Sequence, residues 1–334
     1  MIRRIGLVGA GAIAREHAQA LAGIRGARIT HVVDRHPDRA RALAQSIGNA
    51  TWGTDPALMF ADPDIDAVDI CTSPDSHADL TIIAAGHGKA IHLEKPVALN
   101  MNEVDRMLAA VQSAGVSFLV GQTTRFQPVH LEMAAAIAAD QIGKPRMLHA
   151  SFYAGHLWPG GWRAWQLDAA RCGGHLVHNG IHMIDLAVWL IGGAPERVFA
   201  RGFKTFSPDL PTPDSFHVTL RFADGAMALL EWSYALRKRG DFLRRIVVVG
   251  ENGSLHHTTE GEAGLHSDAA NPVPPATLGA FTNQMQHWVD VLRGKVDPLV
   301  TPDQVRAAFA AALAAQESYG SGQAVTLTAP EVRT

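Results

Sequence analysis

Two cysteines in 334 residues, Cys71 and Cys172, are too few and too far apart for a disulfide framework. They read as free thiols of a reducing cytoplasm, Cys71 inside an apolar strand and Cys172 beside a glycine pair, with no flanking residue that would activate either. No uninterrupted apolar run reaches the roughly 20 residues of a membrane span. The alanine-rich stretch Val305 to Ala315 comes closest, but it is short and bounded by charges. Met-Ile-Arg-Arg leads straight into a strand, without the apolar segment of a secretory signal. Neither sign of charge prevails: 29 Lys and Arg against 32 Asp and Glu leave −3, which gives no electrostatic case for nucleic acid or an anionic membrane. Repeats, low-complexity tracts and long linkers are also missing. What remains, 47% hydrophobic and 18% charged residues, suits a soluble chain long enough for two domains with sizeable cores.

The most informative segment is Val8-Gly9-Ala10-Gly11-Ala12-Ile13-Ala14. Ile5, Leu7 and Val8 read as a buried strand, and an amphipathic stretch to Leu21 follows the glycines. Gly9 permits a tight strand-to-helix turn, Gly11 lets the backbone approach a pyrophosphate, and Ala14 lets the helix lie close on the sheet. The diphosphate would rest on unpaired amides at the helix start, those of Ala12 and Ile13 included. A second strand, Arg28 to Val33, ends in Asp34, about twenty residues beyond the motif, where a ribose-binding acid belongs. Asp34 favours NAD by opposing a 2′-phosphate; Arg35, His36 and Arg39 follow and leave NADP possible.

Further strands at Ala67 to Cys71, Ala90 to Leu93 and Ser117 to Val120 alternate with helices at Ser76 to His87 and Met101 to Ala114. That rhythm predicts an α/β domain with a doubly wound parallel sheet. After Gln122 the pattern changes. A helix over Pro128 to Ala138 leads into strands at Arg146 to Tyr153, Arg197 to Phe206, Ser215 to Phe222, Ala226 to Tyr234, Arg244 to Val249 and Ser254 to His257. Turns such as Ala223-Asp224-Gly225 and Glu251-Asn252-Gly253 point to a large, mostly antiparallel sheet. Two helices, near Gly279 to Leu292 and Pro302 to Tyr319, close the chain, and Glu260 to Thr277 reads as a loop. The expected division is a dinucleotide-binding domain at 1–122 and an α+β substrate-binding and oligomerisation domain at 123–334.

Glu94-Lys95-Pro96 stands at a strand's carboxyl end. A lysine fixed there can hydrogen-bond a substrate oxygen as charge develops during hydride transfer. Farther on, residues 176 to 191 carry helical periodicity, which sets His178 and His182 one turn apart on one face with Asp185 one turn beyond. A histidine near neutral pKa is a natural proton acceptor beside such a centre. His175, His178 and His182 could also form a metal-binding stripe with His156 or Asp168, though no metal is the preferred reading. Trp158, Trp162 and Trp165 offer faces for sugar stacking, core packing being the plainer role for Trp165.

Taken together, the glycine motif, Thr72-Ser73-Pro74-Asp75-Ser76-His77, Glu94-Lys95-Pro96 and Gly173-Gly174 leading to Gly180-x-His182-x-x-Asp185 resemble the Gfo/Idh/MocA oxidoreductase family, over essentially the whole chain. The resemblance implies NAD(P)-dependent oxidation or reduction at a secondary alcohol of a sugar, cyclitol or related polyol. It makes Lys95 the catalytic lysine and His182 its acid/base partner, the two converging from separate lobes. It sets Glu94 on the nicotinamide ribose, Thr72, Pro74 and His77 along the cofactor cleft, and Arg125, Trp162 and Arg163 near the substrate. His178 and Asn179 depart from the family pattern, which usually has an aspartate where His178 stands. Two other readings remain: a redox-assisted glycosidase or lyase holding NAD tightly, and a non-catalytic nucleotide-binding regulator. The open face of the second sheet suggests a homodimer or homotetramer, the family's habit.

Overall fold

Short apolar runs alternating with helices build the first of two units. The computed structural model describes residues 2–48, 50–155, 168–205, 209–210, 212–236, 242–259 and 279–327. The chain divides into Met1–Phe126 with Gly279–Val305, and Gln127–Leu278 with Arg306–Thr334. In the first unit come β1 (Arg3–Val8), α1 (Ala12–Ala22), β2 (Ala27–Val33), α2 (Pro37–Ser46), β3 (Thr51–Gly53), α3 (Pro56–Ala61), β4 (Ala67–Ile70), α4 (His77–Gly86), β5 (Ala90–Leu93), α5 (Met101–Ala114) and β6 (Phe118–Val120). All strand pairs are parallel, in the order β3-β2-β1-β4-β5-β6. The chain winds outward from β1 in both directions, so a topological switch lies between β1 and β4, and ligands bind outside the carboxyl ends at such a point.

Local chemistry sets the helix ends. Asn100 caps α5 by accepting from the Glu103 amide (3.0 Å), and Glu103 reaches back to the Leu99 amide (2.9 Å). Gly115, at φ +64°, closes the same helix in the left-handed conformation. The helix expected from Ser76 begins at His77, after a 3₁₀ turn over Pro74–Ser76. β3 has three residues and exposes Trp52, which is why no apolar pattern announces it.

The second unit runs through α6 (Pro128–Ala138), β7 (Pro145–Gly155), α7 (Ala169–Cys172), α8 (His175–His178), α9 (Ile181–Ile191), β8 (Pro195–Phe203), β9 (Ser215–Phe222), β10 (Met227–Leu236), β11 (Phe242–Gly250) and β12 (Ser254–Thr258). After α10 (Ala280–Leu292), α11 (Pro302–Ser321) leads to β13 (Val325–Thr326). The seven strands order as β12-β11-β7-β10-β9-β8-β13, antiparallel except for the parallel pair β7 and β10. One face carries Leu148, Ala150, Val218, Leu220, Leu230 and Ile246, all buried. Each Val, Leu or Ile among them contributes about 1.5–3 kcal/mol when fully buried. The opposite face leaves Met147, Phe199, Met227 and Leu229 exposed.

The two units differ from a linear division at 122/123. The chain crosses over at Phe126 and returns to the first unit with α10. The reason lies in α10's own buried face: Gln284 and Trp288 pack on His92, and Phe281 on His17. Among the described residues, no helix is long and apolar enough to cross a membrane.

Candidate active site

The glycine turn has the form a diphosphate needs. Gly9 sits at φ +96°, and a Cβ there would lie 2.7 Å from the Cys71 carbonyl oxygen. At Gly11 the same test meets no atom within 4 Å, so the backbone is open on that side. Gly11 caps α1 without a side chain, and the first turn carries no acid. The first-turn amides around exposed Ala12 and half-buried Ile13 are therefore left for an anion, while Ala14 is wholly buried.

Asp34, half-buried at the end of β2, accepts from the Ala10 amide through Oδ2 (2.8 Å) and from the His36 amide through Oδ1 (2.8 Å). It thus ties the glycine turn to the start of α2 and still has lone pairs to offer a ribose. Arg35 and His36 are exposed. These residues fit an NAD adenosine and diphosphate.

At the carboxyl ends of β4 and β5, Thr72 accepts from the Ser76 hydroxyl (2.8 Å) and is half-buried, and Pro74 is buried. His77 does not line a cleft as expected. It is wholly buried, with Nδ1 3.0 Å from the Pro96 carbonyl and Nε2 3.1 Å from the Thr72 carbonyl, and a neutral ring donates to one of the two. Burial holds its pKa below the usual imidazole value. Arg125, expected near the substrate, is also turned inward. It is wholly buried and donates to the Leu299 carbonyl (3.2 Å) and to Gln304 Oε1 (2.6 Å), an internal anchor with no surface for substrate.

Glu94 is 5% exposed, and its Oε2 accepts from the Lys95 backbone amide (3.1 Å). Gly121, at the end of β6, makes room for it: a Cβ there would fall 2.6 Å from Glu94 Oε1. Burial works to raise the Glu94 pKa, but His17 and then Lys95 outweigh it, and the carboxyl is held below its ordinary value. Lys95 is half-buried.

Behind Glu94 lies a buried chain of polar side chains outside the sequence motifs named above. His17, Asp69 and His92 are each wholly buried. His17 donates through Nδ1 to Asp69 Oδ2 (3.0 Å), and His92 donates through Nδ1 to Oδ1 of the same carboxylate (2.8 Å). Gln284 Nε2 donates to His92 Nε2 (3.0 Å), and His17 Nε2 stands 3.3 Å from Glu94 Oε1. The signal was present in the strands: an acid inside Ala67–Ile70 and a histidine inside Ala90–Leu93 are costly to bury unless they meet. The β4–β5 register sets Asp69 against His92. The donor atoms converge closely enough for a cation. However, tetrahedral zinc would hold its ligands about 3.3 Å apart, and the N···O separations of 2.8 and 3.0 Å are those of hydrogen bonds.

In the second unit, Gly173 (φ +78°) and Gly174 (φ +95°) turn the chain from α7 into α8. The expected single helix over 176 to 191 is two, α8 and α9, joined through Asn179 and Gly180. Across the join the amides of His182 and Met183 bond three residues back rather than four, so His178 and His182 do not share an α-helical turn. Gly180 is compelled here, because a Cβ would lie 2.3 Å from the Leu176 carbonyl oxygen and 2.7 Å from the Trp232 ring. His178 is buried, Asn179 and His182 are half-buried, and Asp185 is wholly buried one turn beyond His182 in α9.

The three-histidine stripe is also revised. His175 is wholly buried, donates to the Pro213 carbonyl (2.8 Å) and packs on Phe216 and Tyr234. Asp168 caps α7 by accepting from the Ala170 amide (3.1 Å). Among the described residues, these histidines form no converging ligand set. His156, Trp158, Trp162, Arg163 and Trp165 lie outside the described residues, as does the segment Glu260 to Thr277.

Comparison with known proteins accords with this arrangement. The family model for an oxidoreductase family with an NAD-binding Rossmann fold matches residues 3–122, and the GFO/IDH/MocA C-terminal domain matches 130–256. A myo-inositol 2-dehydrogenase of Thermotoga maritima is 31% identical over 75% of this chain and 74% of its own. An inositol 2-dehydrogenase of Rhizobium meliloti is 33% identical over 76% and 75%. The crystal structure of a myo-inositol dehydrogenase from Corynebacterium glutamicum shares the fold, with a TM-score of 0.83 over 99% of this chain and 100% of that one at 24% identity. The chain belongs to the Gfo/Idh/MocA oxidoreductase family and is an NAD-dependent dehydrogenase.

Proposed function

We propose that the enzyme transfers a hydride between NAD and a secondary alcohol or ketone of a sugar, cyclitol or related polyol, with Lys95 and His182 as its proton-transfer groups. The observation that carries this reading is the place of Lys95. It is half-buried at the carboxyl end of β5, next to a buried carboxylate and beside the switch point of a doubly wound sheet. The inositol dehydrogenases among its relatives support the substrate class.

Gly9, Gly11, Ala12 and Ile13 would receive the diphosphate, Asp34 the adenosine ribose and Glu94 the nicotinamide ribose, with Arg35, Thr72 and Pro74 at the rim. The nicotinamide, when bound, supplies the hydride acceptor or donor. Lys95 would hydrogen-bond the substrate oxygen and stabilise charge as it develops there. His182 would take up or return the proton, with His178 and Asn179 holding neighbouring hydroxyls. An imidazole at 178 can accept a hydroxyl proton only when neutral.

The test supplies inositols, other cyclitols and sugars with NAD and follows the absorbance of reduced nicotinamide. NADH should accumulate with at least one polyol, and Lys95→Ala should lower kcat by about 10²–10⁴-fold while leaving NADH affinity within a few-fold. Substrate consumed without net NADH would favour redox-assisted elimination or hydrolysis. Activity untouched by Lys95→Ala would overturn the reading.

The face of the seven-stranded sheet with Met147, Phe199, Met227 and Leu229 is proposed as the surface where copies of the chain associate into a homodimer or homotetramer. Neither nucleic acid nor a membrane is a proposed partner, and a cytoplasmic setting is proposed.

A further inference from the structure

We propose that His17 is a positioning residue: the chain Asp69–His17–Glu94 ties the helix of the glycine motif to the strand end that carries Lys95 and holds Glu94 toward the coenzyme. The inference rests on the reading above, in which Glu94 meets the nicotinamide ribose. His17 lies one turn into α1 beyond Ala14, so it belongs to the element whose first turn meets the diphosphate. Its two ring nitrogens face two carboxylates, Asp69 Oδ2 at 3.0 Å and Glu94 Oε1 at 3.3 Å. Glu94 cannot retreat toward β6 without meeting Gly121, and its other oxygen is held by the Lys95 amide. Asp69 cannot follow His17, because His92 holds its second oxygen at 2.8 Å and is itself held by Gln284.

Titratable groups from β4 and β5 surround His17. From β4 and its end come Asp69 and Cys71, whose Sγ stands 3.3 Å from Nδ1; from β5 and its end come His92, Glu94 and then Lys95. From α10 the described neighbours are uncharged, Phe281 on His17 and Gln284 on His92. Burial opposes an imidazolium here, but the Cys71 sulfur and the Asp69 carboxylate outweigh it and raise His17 well above the usual imidazole value. Cys71 is itself pushed far up by burial and by Asp69, so it stays a thiol that can only hydrogen-bond the ring, and the Asp69 carboxylate carries the charge effect. An imidazolium between two carboxylates, followed by the Lys95 ammonium, gives alternating charges. Glu94 is then an acceptor only, as a ribose diol requires.

The experiment titrates NADH into the full-length enzyme by fluorescence from pH 5 to pH 9, for wild type, His17→Gln, Glu94→Gln and the double variant. Wild-type affinity should be flat across this range. His17→Gln should weaken binding by about tenfold or more at the acid end and recover at the alkaline end. Glu94→Gln and the double variant should be weak and flat throughout. A folded His17→Gln that titrates like wild type, while Glu94→Gln is weak, overturns the role of His17 alone. Glu94→Gln binding like wild type removes the underlying reading and this inference with it. Should His17→Gln not fold, ring-nitrogen NMR of the wild-type enzyme decides. A histidine doubly protonated at pH 8 supports the proposal, and a spectrum with every ring neutral overturns it.

Discussion

The two units treat polarity in opposite ways. In the first, His17, Asp69, His92 and Glu94 are at most 5% exposed, yet each meets a partner of complementary charge or hydrogen-bonding character. In the second, the sheet packs one apolar face inward and leaves the other, with Met227 and Leu229, open to solvent. A buried polar network fixes geometry because breaking one of its bonds strands a buried group. An open apolar face fixes little inside its own unit. The coenzyme end is held by hydrogen bonds, and the open sheet face is the one proposed for association.

The comparison breaks most readily at its centre. Asp69→Ala leaves two buried histidines without their shared acceptor and should destabilise the first unit by about 3–5 kcal/mol, read as an earlier chemical unfolding transition. A loss under about 1 kcal/mol would mean the network is not what holds that unit.

In the second unit a tight constraint next to His182 is steric. Gly180→Ala puts a methyl against the Leu176 carbonyl and the Trp232 ring. It should cost about 1–3 kcal/mol and lower kcat more than NADH affinity, because α9 and His182 must shift. Unchanged turnover would show that the α8–α9 join is not part of the site.

Smaller is a dependence on pH that arises at His17 in the first unit. A folded-state pKa raised above the unfolded value, as at His17, contributes stability that is complete below the unfolded value near 6.5 and is lost as pH rises through the folded one. Thermal melts should therefore fall on the alkaline side in wild type and flatten in His17→Gln. Asp69 and Glu94, both lowered, act in the reverse sense, their share being lost only as pH falls below the ordinary carboxylate range.

The least effect on fold stability is expected from Leu229→Glu on the open sheet face, within about 0.5 kcal/mol for the isolated chain. The same change should shift sedimentation toward smaller species. An unaltered assembly would place the contact elsewhere.

Much of the first unit was readable in advance because its signals are local. Gly9 and Gly11 mark a turn that few other residues allow, and Asp34 follows at the spacing of one βαβ step. Lys95 is announced by its neighbours Glu94 and Pro96. His77 and Arg125 show the limit of a local pattern: a polar side chain near a motif reads as exposed, but the fold buries both among hydrogen-bond acceptors. The run from Leu176 to Ile191 keeps helical periodicity straight through Gly180, so the pattern alone hides the join that the Trp232 ring demands.

Sequence alone determined the winding of the parallel sheet, the coenzyme turn and the strand end bearing Lys95, since each follows from backbone sterics and periodicity within a few tens of residues. Only the tertiary structure decided that α10 returns to the first unit and that His17, Asp69, His92 and Glu94 meet in one chain. Those residues are up to 77 positions apart, and Gln284 is farther still. Their meeting depends on strand register and helix packing, which no local pattern encodes.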